Sequence, residues 1–258
     1  MSDQKSTFWD HLDALRASVF RVVIITLLFG IIAFFFKDIL FQIVLAPKQD
    51  SFVTYELFRS VMARFSSGMA LEHFSVDLIN TGLAEQFLIH IKVALCAGFL
   101  CASPYILYAL FRFVSPALYA NERKYAFRVV FSGYTMFLLG VLLNYFLIFP
   151  LTFRFLGTYQ VSAEVANLIT LRSYISTLMM LNIMMGIVFE MPVVAWLFAK
   201  LGFLSSAFMK KYRRHAIVII VAVAAVITPT ADIFTLLLVS VPMYLLYEIS
   251  IMVVSRAN

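Results

Sequence analysis

Charge is what this chain has least of. Only 13% of its 258 residues are Asp, Glu, Lys or Arg, about half the roughly 25% of an ordinary globular protein. A surface so poor in charge cannot face water all round, which excludes a water-soluble domain or pair of domains. Cysteine is scarce too. Cys96 and Cys101 lie five apart in one apolar run, on different helix faces, and match no metal or redox spacing. His11, His73, His90 and His215 are dispersed along the chain, which argues against a metal centre or a catalytic triad. A phosphate loop, GxGxxG after a strand, HExxH and GxSxG are all missing. No catalytic residue, metal or cofactor is expected. The basic excess of +6 is scattered between apolar runs, so it reads as membrane topology rather than nucleic-acid binding.

Apolar residues fill the space that charge vacates. They make up 63% of the chain, with 27 Phe and 12 Met, and the mean hydropathy is +0.95. That composition belongs to a polytopic membrane protein. Six apolar segments can be marked, at about Val19–Phe36, Phe87–Phe111, Ala126–Phe149, Tyr174–Phe198, Ala216–Ile227 and Ile233–Val254. The expected fold is an all-α integral membrane protein of six transmembrane helices, a single domain over residues 1–258. The fifth run is shorter than the roughly 20 residues a crossing needs. It should form a hairpin with the sixth through a turn at Thr228–Asp232, marked by Pro229. Pro104, Pro192 and Pro242 fall inside other spans, where neighbouring helices can satisfy the freed carbonyls, so a bent, concave bundle is predicted. The first run is too long for a signal-peptide core and lacks a small-residue cleavage site, and it reads as a retained span.

Lys and Arg counted at alternate span ends divide thirteen against seven of the 20 present, which puts both termini on the cytoplasmic side. The longest outer segment, about Lys37 to Gln86, holds six acids and four bases. It is expected to form an extended extramembrane loop or cap.

Two polar constellations stand out. Between Asn182 and Phe198 the sequence NIMMGIVFEMPVVAWLF carries one acid, Glu190. An ionised side chain there costs about 2.5 to 3.5 kcal/mol on insertion scales, so it should point into the bundle. Asn182, Gly186 and Glu190 recur every four residues and share one helix face. That stripe either packs against another helix with its hydrogen bonds satisfied or offers a site to a transported species or a partner helix. The second constellation comprises HLDALR at His11–Arg16 and FVSPALYANERK at Phe113–Lys124, both placed at the inner interface. Asp13 and Glu122 could accept paired hydrogen bonds from guanidinium groups. Alternatively Glu122 only balances Arg123 and Lys124 in a solvated loop.

In order, HLDALR, LAP at Leu45–Pro47, SPYILYALFRFVSPALYANERK from Ser103, FE-P at Phe189–Pro192, KKYRRHA from Lys210 and TPTADIF…VPMYLLYE at Thr228–Glu248 resemble the TatC family over nearly the whole chain. This family supplies the polytopic subunit of the twin-arginine protein translocase. The resemblance implies an inner-membrane receptor that binds twin-arginine signal peptides of folded cargo. It also implies recruitment of TatA/TatB-like single-span proteins, export driven by the proton gradient, and a homo-oligomer within a receptor complex embedded in membrane lipid. It gives Glu122 as the first acid for the signal arginines. The family's second acid falls at Ala14, a departure, and Asp13 or Asp10 is the nearest replacement. Arg16, Phe113, Pro116, Leu118, Tyr119 and Arg123 match the rest of the signal-docking surface. Pro47 and Asp232 match outer positions, and Glu190, with Asn182 on its face, matches an intramembrane contact to a partner's polar residue. Two rivals are a secondary transporter using Glu190 as an ion site, which would call for the inverted repeats not found here, and a scaffold without signal recognition.

Overall fold

The computed structural model describes residues 8–65, 74–114, 126–162, 164, 167–230 and 232–257. Apolar runs without water to pair their backbone groups must form helices, and helix dominates the described residues. In chain order the helices are α1 (Phe8–Phe35), α2 (Lys37–Leu45), α3 (Val53–Phe65), α4 (Glu85–Val114), α5 (Ala126–Leu143), α6 (Phe149–Thr158), α7 (Leu171–Phe189), α8 (Met191–Lys200), α9 (Ser206–Lys211), α10 (Arg213–Ile227) and α11 (Ile233–Ala257). Two short segments, β1 (Leu78–Ile79) and β2 (Ile169–Thr170), pair in parallel with Leu78 opposite Ile169.

Five stretches are long and apolar enough to cross a membrane: Leu12–Phe35, Glu85–Phe113, Val129–Thr158, Leu171–Lys200 and Ile233–Arg256. The run expected as a fifth crossing folds as α10, with 15 residues. At 1.5 Å per residue that is about 22 Å, short of a hydrocarbon core of about 30 Å. The segment from Lys37 is ordered into α2, a 3₁₀ turn at Ala46–Lys48, and α3.

The chain divides into two compact units, residues 1–37 with 90–135 and residues 38–89 with 136–258. In the first, α1 and α4 meet at glycine. A Cβ on Gly98 would stand 2.5 Å from the Gly30 backbone nitrogen and 2.6 Å from the Thr26 carbonyl oxygen, so only glycine permits this approach. On its outer side α1 exposes Phe20, Ile24, Leu28 and Ile31, a stripe suited to lipid. In the second unit, α5 and α7 use the same device: a Cβ on Gly140 would run into the Met185 carbonyl, and one on Gly186 into the Phe137 ring.

Prolines set the bends, and hydroxyls repair them. A proline inside a helix frees the carbonyl four residues earlier. Pro104 frees that of Leu100, which accepts the Ser103 hydroxyl at 2.7 Å. Pro150 frees that of Phe146, which accepts the Thr54 hydroxyl from α3. Ahead of Pro150 the chain widens into a π turn over Asn144–Ile148, joining α5 and α6 into one span. Pro192 opens α8 just after Glu190, where α7 stops.

Candidate functional site

The buried polar groups of the second unit gather around α7. Asn182 and Asn144 are both buried, and Asn144 Nδ2 donates to Asn182 Oδ1 at 2.7 Å. The π turn aims Asn144 at this partner, and such bulges recur at functional sites. One turn on, Gly186 receives the Phe137 ring. One further turn on is Glu190, at the break between α7 and α8. Its amide donates to the Ile187 carbonyl at 3.1 Å, and its own carbonyl accepts from Val193 at 3.0 Å and Val194 at 2.9 Å. The backbone is therefore satisfied through the bend. The half-buried side chain is not: Oε1 is enclosed with no hydrogen-bond partner among the described residues. Asn182 is thus engaged within the fold, whereas Glu190 retains an acceptor.

The segment around Pro47 is clamped by phenols. The last carbonyls of α2 have no partner in their own helix. Tyr145 donates to Ile43 O at 2.7 Å and Tyr174 to Val44 O at 3.0 Å. The Tyr55 hydroxyl faces Pro47 O at 3.0 Å and Pro150 O at 2.9 Å, so its single proton is shared between two carbonyls. Burial pushes the Tyr55 phenol above its ordinary pKa; the Arg154 guanidinium, 5.8 Å from its ring centroid, pulls the other way. Tyr55 stays a donor. Arg154 also lies 5.2 Å from the Phe74 ring, and Arg59 pairs with Asp50 at 2.9 Å. Asp232 caps α11, its Oδ1 accepting from the Thr235 amide at 2.7 Å. Thr152, Asn167, Ser173, Thr177 and Thr230 give a polar lining to a cavity of about 220 Å³.

In the first unit, Asp13 and Arg16 are exposed on α1, and the Arg16 guanidinium lies 5.8 Å from the Phe20 ring centroid. Phe113, half-buried at the end of α4, lines a second cavity of about 230 Å³. Its walls come from positions 14, 17, 18 and 21 of α1 and 105, 108, 109 and 112 of α4. Both sets follow the i, i+3, i+4, i+7 rule for one helix face. Ala14 lines this cavity and Asp13 does not.

Residues 10–242 match the family profile described as "Sec-independent protein translocase protein (TatC)". The chain belongs to the TatC family. A TatC protein of Blattabacterium sp. is 33% identical over 95% of this chain and 93% of its own length. One of Aquifex aeolicus is 33% identical over 94% and 92%. A crystal structure titled Twin Arginine Translocase Receptor- TatC superposes with a TM-score of 0.75 at 32% identity, covering 96% of this chain and 99% of the other. The chain is accordingly a multi-pass, all-α component of the Sec-independent translocation system of the inner membrane, a transport subunit rather than a catalyst.

Among the positions the TatC resemblance marks, Glu190, Asn182, Pro47 and Asp232 belong to the second unit, and Asp13, Arg16 and Phe113 to the first. The backbone of Asp10 lies in α1, but its side chain is outside the described set. Glu122, Pro116, Leu118, Tyr119 and Arg123 lie outside the described residues. Residue-by-residue reading missed Asn144, Thr54 and the three tyrosines. Asn144 offered a signal, a lone amide in an apolar run six residues before a proline. The tyrosines offered none, because Tyr174 and its acceptor are 130 residues apart.

Proposed function

We propose that this chain is the signal-peptide receptor and core of a twin-arginine translocation complex, spanning the membrane six times with both termini cytoplasmic. The carrying observation is the near full-length likeness to a structure titled as that receptor, TM-score 0.75. In this reading α10, though short, crosses a locally thinned bilayer as the fifth span. Glu122 and a second acid, Asp13 or Asp10, take the paired arginines of the signal in bidentate hydrogen bonds, with Arg16, Phe113, Pro116, Leu118, Tyr119 and Arg123 shaping the surface around them. Asp13 is suited to that task by its exposure on α1.

Glu190 serves the single-span TatA/TatB-like partners. A buried carboxyl oxygen without a partner among the described residues is an acceptor waiting for a polar group on another helix. Asn182 backs that surface by holding α5 against α7, while Pro47 and Asp232 belong to the outer cap where translocation or partner contact occurs. The whole is one domain that oligomerises with its partners, and cargo crosses at the expense of the proton gradient.

Crosslinking tests the receptor role. A twin-arginine signal peptide carrying a photoreactive group should label the parent protein and fail to label Glu122→Lys, while both insert equally. Equal labelling of the two would overturn the reading. A folded reporter with a twin-arginine signal should remain in the cytoplasm when the gene is deleted, and Glu190→Ala should weaken co-purification of the single-span partners.

A further inference from the structure

The cavity between α1 and α4 has the wrong sign for an arginine pair. Its described lining includes two guanidinium groups, Arg21 and Arg112, two phenols, Tyr105 and Tyr108, and no carboxylate. Ala14, on the α1 wall, adds no charge. The Ser18 hydroxyl is already bonded to the Ala14 carbonyl at 2.9 Å, but Arg21, Arg112, Tyr105 and Tyr108 make no hydrogen bond or ion pair among the described residues. Four donor groups thus converge on one hollow with no acceptor engaged among the described residues.

Its position narrows the ligand. Arg21 lies in the first half of the Leu12–Phe35 span and Arg112 at the end of the Glu85–Phe113 span, and both line the one cavity at that end of the helix pair. The uninterrupted apolar run of α1 begins only at Val22, which puts Arg21 where a long side chain reaches from hydrocarbon to headgroup. Basic pockets between membrane helices are built to hold anionic headgroups. The planar fork of arginine matches phosphate oxygens, and tyrosine at this depth keeps its ring in the apolar layer and its hydroxyl in the polar one.

We infer that this cavity is a binding site for the phosphate of an anionic phospholipid, held by Arg21 and Arg112 with Tyr105 and Tyr108 as further donors. The lipid occupies the groove lined by Ala14, leaving twin arginines to acids outside it. The site needs only the membrane placement of α1 and α4. It therefore stands or falls separately from signal recognition.

Native mass spectrometry of the full-length protein, titrated in detergent with phosphatidylglycerol and separately with phosphatidylcholine, tests it. The parent should hold one phosphatidylglycerol more tightly than the rest and show no such site for phosphatidylcholine. Each arginine should contribute about tenfold to that affinity, as a charge-assisted hydrogen bond does, and Arg21→Gln/Arg112→Gln should abolish the tight site. Arg214→Gln on α10 removes a charge elsewhere and should leave it intact. If the double variant is not recovered folded, Arg112→Gln alone decides by the same readout. Retention of the tight lipid in the arginine variants overturns the site, as does an equal loss in Arg214→Gln. Displacement by inorganic phosphate at the lipid's own concentration overturns the lipid assignment in favour of a soluble anion.

Discussion

The two compact units differ in how fully they engage their polar side chains. In residues 38–89 with 136–258, carbonyls released by helix ends and prolines are taken by side chains, Tyr145, Tyr174 and Tyr55 on the α2 side and Thr54 on Phe146, and the Asn144 side chain donates to that of Asn182. In residues 1–37 with 90–135, glycine gives the close approach and Ser103 takes the Leu100 carbonyl, but Arg21, Arg112, Tyr105 and Tyr108 of the α1–α4 cavity make no hydrogen bond or ion pair among the described residues. One unit uses its donors to hold itself in shape. The other leaves four donors without a partner among the described residues. The unit that spends its hydrogen bonds internally should lose stability when they are removed, and the other should lose only binding.

The largest effect should come from backbone contact. Gly140→Val would drive a methyl-bearing carbon into the Met185 carbonyl and the Phe189 side chain, at a cost of about 3 kcal/mol. Thermal unfolding in detergent would show it as a marked drop in midpoint, and an unchanged midpoint would mean α5 and α7 do not meet there. Asn144→Leu should cost about 1 to 2 kcal/mol, because Asn182 is left buried without its donor. Asn144→Leu/Asn182→Leu should recover part of the loss, and strict additivity of the two single changes would break the claim that they are bonded. Tyr55→Phe should destabilise by about 1 kcal/mol, since two carbonyls lose one shared donor. Tyr108→Phe, the same substitution in the other unit, should shift stability by no more than about 0.3 kcal/mol, the scale of a surface change. If both tyrosine variants melt alike, the distinction between the units fails.

The membrane class was legible because it rests on composition and run length, which need no partner. The run Phe87–Phe111 became α4 with ends at Glu85 and Val114, and Ile233–Val254 became α11 ending at Ala257. The third run overshot its expected end at Phe149 and continued to Thr158, because the π turn and the Thr54 hydroxyl absorb what Pro150 disrupts. The expected bend near Pro192 is present. That it breaks the helix at the one acid of the span, leaving Glu190 Oε1 enclosed while its backbone is fully bonded, could not be read from a proline two residues away. The Asn182–Gly186–Glu190 stripe was legible as a face, but its split between engaged Asn182 and uncommitted Glu190 was not.

Sequence alone determined that this chain lives in a bilayer, roughly where its long apolar helices run, and which family it resembles. Those properties follow from local hydrophobicity, proline and motif order, each carried by neighbours along the chain. Only the tertiary structure decided which carbonyl each tyrosine caps, which asparagine meets which, and that Arg21 and Arg112 share one hollow. A hydrogen bond depends on distance in space, and residues separated by a hundred positions leave no trace in sequence of having met.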